Sequence, residues 1–141
     1  YIVDFKSTGN AKLFELSGFC KSENWGTWSC AKEVTINFDF TGNVKTPLFL
    51  KLYFNALATP SHLQTFDFYL NDNLIKQLTF NNNNENQVTF DISKIVKAHN
   101  TFVIQIPDAT TPKSLGINAD TRLLGIGLIK LIFTDNKNSI K

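Results

Sequence analysis

The run Val34-Thr35-Ile36-Asn37-Phe38-Asp39-Phe40 alternates apolar and polar side chains, which sets Val34, Ile36, Phe38 and Phe40 on one face of an extended strand and the polar residues on the other. Such a strand lays one face on a core and shows the other to water. The pattern recurs on both sides of it. Leu48, Leu50, Leu52 and Phe54 share a face, with Lys51 and Asn55 opposite, and Phe66, Phe68 and Leu70 alternate with Thr65, Asp67 and Tyr69. Asn71-Asp72-Asn73 then reads as a turn, because Asn and Asp accept left-handed backbone and bond locally, with Leu74 to Phe80 as the return strand and Asn81 to Asn86 as the next loop. Val88 to Phe90 is a short strand. Asp91 caps a helical turn that carries Ile92, Ile95 and Val96 on one side. Thr101 to Ile106 is a strand stopped by Pro107. The last strand is expected at Leu123 to Phe133, with Gly125 and Gly127 on one face where a bulky side chain would obstruct a close neighbour. Ile2 to Phe5 and Leu13 to Phe19 are the opening strands. Short strands with almost no helix predict an all-β chain: an antiparallel β-sandwich of jelly-roll type over residues 1–134, with a polar tail at 135–141.

At 141 residues the chain has the length of one domain and buries enough surface to fold without staples. A formal net charge of +2 with unclustered lysines gives no field for nucleic acid. No apolar run of about 18 residues is present, so no membrane insertion by this segment is expected. The absence of methionine predicts a piece of a longer protein or a processed one. Cys20 and Cys30 flank one segment and are either a disulfide closing it or two half-buried thiols.

Signatures of catalysis are missing. His62 and His99 lie in separate loops with no partner at metal-ligand spacing, so neither a metal nor a cofactor is expected. Gly125-x-Gly127 falls inside a strand rather than between strand and helix, unlike a nucleotide loop. Glu23 and Asp120 form a possible carboxylate pair for glycoside hydrolysis, but a chain with twelve acids offers many such pairs. The Asp residues are too scattered for a calcium site. The expectation is therefore a domain that is not itself an enzyme.

Two segments remain to be explained. Gly18-Phe19-Cys20-Lys21-Ser22-Glu23-Asn24-Trp25-Gly26-Thr27-Trp28-Ser29 holds both tryptophans beside a glutamate in a stretch built like a turn. Asp120-Thr121-Arg122-Leu123-Leu124-Gly125-Ile126-Gly127-Leu128 holds the sole arginine of a chain with fourteen basic residues. An arginine beside an aspartate suggests one planar contact that lysine would not replace. Sugars present C–H patches beside dense hydroxyls. If the fold joins these segments, Trp25 or Trp28 can stack on a ring while Glu23 and Arg122 hold hydroxyls or an anionic substituent, with Asp120 orienting Arg122. The competing reading makes one tryptophan a plug and Glu23–Arg122 a buried strut, as in a module that docks on a partner without binding sugar. Tyr53 and Tyr69, on outward strand faces, are secondary candidates.

The pattern Gly-Phe-x-x-x-Glu-x-Trp-Gly-x-Trp-Ser at 18–29, followed by Asp-x-Arg-Leu-Leu-Gly-Ile-Gly-Leu at 120–128, resembles the β-sandwich accessory domain appended to bacterial membrane phosphoglycerol transferases and surface-polysaccharide glycosyltransferases. The likeness runs from about Ile2 to Phe133. It implies a non-catalytic carbohydrate-binding module on the periplasmic or extracellular face of a bacterial membrane, with an envelope glycan and the parent membrane enzyme as partners. The motif carries its Glu, Trp, Trp, Asp and Arg onto Glu23, Trp25, Trp28, Asp120 and Arg122. This chain departs from the family where Cys20 replaces a common serine, where Cys30 stands near a usual polar or acidic residue, and where Thr27 replaces a frequent arginine; paired cysteines would suit an oxidising compartment.

Overall fold

Alternation becomes pairing in the computed structural model, which describes residues 1–136; beyond Asn136 the expected tail lies outside the described residues. The strands are β1 (Ile2–Asp4), β2 (Glu15–Ser17), β3 (Thr27–Trp28), β4 (Glu33–Asp39), β5 (Phe49–Ala56), β6 (Gln64–Leu70), β7 (Asn73–Phe80), β8 (Asn86–Asp91), β9 (His99–Gln105) and β10 (Ile126–Thr134). One sheet runs β1-β10-β5-β8, with β3 also on β10, and the other β2-β4-β9-β6-β7. Leaving out β1 and β2, the sheets read β3-β10-β5-β8 and β4-β9-β6-β7, all antiparallel. That is the strand order of a jelly roll.

The inward faces are the ones the alternation named. Val34, Ile36, Leu50, Leu52, Phe54, Phe66 and Phe68 are buried in one cluster, which Phe102 and Ile104 of β9, for which the sequence reading named no face, complete; each large side chain so covered contributes about 1.5–3 kcal/mol before ordering costs. Phe54 meets Phe66 at 6.1 Å and Phe68 stacks on Phe102 at 6.3 Å. The β6–β7 turn puts Asn71 at φ 50 and Asp72 at φ 68, the left-handed pair that a two-residue hairpin needs. Asp91 caps its turn as expected: Oδ1 accepts the Ser93 N–H at 3.0 Å, and the Ile95 and Val96 N–H groups donate to the Ile92 carbonyl.

Three expectations are corrected. Leu13 to Phe19 is not one strand, because Ala11–Leu13 forms a 3-10 turn and only Glu15–Ser17 pairs with β4. Local bonding decides it: the Asn10 side chain accepts the Asp4 N–H at 2.7 Å and donates to the Ile2 carbonyl at 2.9 Å, while its own carbonyl takes the Leu13 N–H. The last strand begins at Ile126 rather than Leu123, since Leu124 is engaged with Thr110 in a separate bridge. The tryptophan segment is not all turn either; Thr27–Trp28 is a strand on β10.

Candidate functional site

The stretch from Gly18 to Cys30 folds as a hairpin. Gly18 has φ +86, and a side chain there would run into the Glu33 carbonyl, so the chain can leave β2 in this direction only through glycine. The Cys30 N–H donates to the Gly18 carbonyl at 2.7 Å and the Cys20 N–H to the Trp28 carbonyl at 2.9 Å. A disulfide joins Cys20 to Cys30 across the base, with Cα atoms 5.1 Å apart, which settles the choice the sequence left open. At the tip the Glu23 N–H donates to the Gly26 carbonyl at 2.8 Å. Gly26 is pressed on the Leu128 carbonyl, and buried Thr27 donates its hydroxyl to the Phe5 carbonyl at 2.6 Å. A long charged side chain at 27 would have to leave this buried slot, which fits the small residue found there.

The hairpin lies along the start of β10: Thr27 is opposite Leu128 and Trp28 opposite Gly127. Ile126 and Leu128 face the core, so Gly127 faces outward. Trp25 and Trp28, both half-buried, meet edge to face at 5.3 Å and 71° on that glycine. A Cβ on Gly127 would stand 2.6 Å from Cη2 of Trp25 and 3.1 Å from Cε3 of Trp28. Gly125 is crowded differently, by the Ile106 side chain. Gly127→Ala should therefore unseat the indoles and cost about 1–3 kcal/mol, read from the urea midpoint together with the near-UV circular dichroism of the pair. An unaltered tryptophan signal would contradict the seat described.

Arg122 stands beside the hairpin. Its Nε donates to both oxygens of Asp120 at 3.1 Å, its Nη2 donates to Oδ2 at 2.7 Å, and its backbone N–H donates to Oδ1 at 2.9 Å. Nη1 reaches Glu23 Oε2 at 3.5 Å. The Arg122 side chain holds the Asp120 carboxyl below its ordinary range, its backbone N–H adding to the effect, and Asp120 in turn raises the guanidinium's proton affinity. Side-chain exposures of 42% for Arg122, 39% for Glu23 and 24% for Asp120 put this cluster at the surface. It is not the buried strut of the competing reading, and a pair so exposed is worth about 0–1 kcal/mol.

The five residues singled out thus come from two segments that touch. The secondary candidates fall on different sheets. Tyr53 lies under the Lys130 ammonium, 4.6 Å from its ring centroid, and Tyr69 is on the other sheet. His62 bonds the Asp108 carbonyl at 2.9 Å and His99 pairs with Asp39 at 3.0 Å, and among the described residues no group of three or more His, Cys, Asp or Glu could hold a metal ion. A hollow of about 520 Å³ lined by Phe14, Asn37, Asp39, His99 and Thr101 belongs to the other sheet, so the tryptophan–arginine platform is no part of it. One residue had no role assigned from sequence. Ser29, fully buried, accepts the N–H groups of Gly125 at 3.1 Å and Ile126 at 3.0 Å and so ties the hairpin to β10. Its only signal was its place after Trp28 in the motif.

The family described as Domain of unknown function (DUF7024) matches residues 3–135. No curated protein matches the chain. Among solved structures it is similar to the carbohydrate-binding module CBM36 in complex with calcium and xylotriose, at 8% identity and a TM-score of 0.54 over 95% of this chain and 99% of that one. It is similar also to the CBM36-1 domain of a multidomain xylanase from the hindgut metagenome of Trinervitermes trinervoides, at 10% identity, TM-score 0.56 and 95% of each chain. Dimeric latent PorU from Porphyromonas gingivalis is similar at 12% identity and TM-score 0.56, over 93% of this chain and 12% of that one. At such identities the likeness is one of fold.

Proposed function

This chain belongs to the DUF7024 family, and from that premise we propose that it is a non-catalytic carbohydrate-binding module, a single domain over residues 1–134. Trp25 or Trp28 stacks on a sugar ring, Glu23 and Arg122 hold its polar groups, and Asp120 fixes Arg122. The observation that carries the reading is the seating of two half-exposed indoles on Gly127 beside a surface guanidinium that its aspartate holds in one plane. The fold shared with two CBM36 modules supports it. The Cys20–Cys30 disulfide supports a periplasmic or extracellular setting. With the motif resemblance, it suggests an accessory role on a membrane enzyme that builds or decorates envelope glycans, such as a phosphoglycerol transferase or polysaccharide glycosyltransferase.

Calorimetric titration with envelope oligosaccharides tests the reading, with dissociation constants expected between about 1 mM and 1 μM. Trp25→Ala and Trp28→Ala should weaken binding by about tenfold or more, in line with loss of an aromatic stacking contact. Unchanged affinity in both folded variants would end the stacking role.

A further inference from the structure

We infer that this platform takes uncharged glycans and turns anionic ones away; the inference rests on the carbohydrate-binding reading. An arginine grips a carboxylate or phosphate best through two parallel N–H groups. In Arg122 the Nε and Nη2 edge is already filled by Asp120, whose oxygens lie 2.7–3.1 Å away. Nη1 is turned toward Glu23. The side-on fork, the parallel N–H pair that Nε and Nη2 would offer a carboxylate or phosphate, is thus closed to an anionic substituent.

The charges point the same way. Within the ion cluster itself Glu23 and Asp120 contribute −2 against +1 from Arg122; Lys113 meets Asp120 through its backbone N–H, and among the described residues no lysine ion-pairs with either carboxylate. Glu23 has one side-chain partner among the described residues, at 3.5 Å, and is 39% exposed. Its second oxygen is therefore available to accept sugar hydroxyls, for which a carboxylate is well suited. An anion brought to about 5 Å from that carboxylate is repelled by roughly a factor of four in a water-like medium, and by more on a half-desolvated surface.

The test uses pairs of oligosaccharides that differ only in charge: neutral bacterial-envelope oligosaccharides, each beside a uronate-bearing and a phosphate-monoester counterpart. Binding is measured on the full chain at 20 mM and 300 mM salt. The expected result is binding of neutral members with at least about fourfold weaker binding of charged ones and a gap that shrinks at high salt. Glu23→Gln should narrow the gap. Asp72→Asn, the same charge change at the exposed β6–β7 turn, should leave it as it was. Charged members binding as tightly as neutral ones, or a gap indifferent to Glu23→Gln, overturns the inference and leaves the carbohydrate reading standing. Failure of every pair to bind removes that reading, and the inference with it.

Discussion

Ser29→Ala should lower the unfolding free energy by about 2–4 kcal/mol, although it removes a single oxygen. That oxygen is buried and accepts two backbone N–H groups, from Gly125 and Ile126, some 96 residues further along the chain. Alanine would leave both donors buried without a partner, at about 1–3 kcal/mol each, moderated by any water that enters. A urea titration reads the loss as a shift in midpoint at constant slope. Arg122→Ala, which breaks only the exposed ion cluster, should move the same midpoint by less than about 1 kcal/mol. If the two variants changed places in this ranking, the tie between hairpin and last strand would have to be electrostatic.

Breaking the Cys20–Cys30 bridge is the second large effect. The bridge closes a loop with a sequence separation of 10, and chain-entropy reasoning gives such a loop roughly 2–3 kcal/mol. Reductant should shift the urea midpoint of the parent chain by that amount and should leave the Cys20→Ser/Cys30→Ser double variant unmoved. Glycan affinity should fall with it, since the base of the hairpin positions both indoles. Superimposable curves with and without reductant, once thiol titration shows the bridge open, would mean that backbone pairing alone holds the hairpin.

The parts of the fold legible in the sequence are those where side-chain alternation is long enough to be seen. β4, β5 and β6 each alternate over seven or more residues, and their buried faces are the ones read from pattern. β3 was not legible, because a strand of two residues, Thr27–Trp28, has no period and is defined only by its partner on a distant strand. The start of β2 was hidden for a different reason: Asn10 bonds its own neighbourhood and turns apolar Leu13 out into solvent, 80% exposed. The five candidate site residues were visible as unusual chemistry, two indoles and a lone arginine, and their meeting was inferred from chemistry, not pattern. Ser29 was invisible because a small hydroxyl in a polar loop gives no sign that it is buried.

The side of β10 that faces away from β5 is shared by two short strands. Along that side Gly127 and Leu128 pair with β3, Lys130 to Ile132 pair with β1, and the Ile129 carbonyl between them takes the Phe5 N–H at 3.0 Å. Opposite, the pairing with β5 skips a residue between Leu128 and Lys130, so the strand changes phase where its two tenants abut. Neither tenant can slide without evicting the other, and a slip of one position would invert which side chains meet water. The opening residues of the chain thus act as a doorstop for the indoles. Trimmed of them, the ladder at 130–132 would lie bare, a berth for a strand from another molecule.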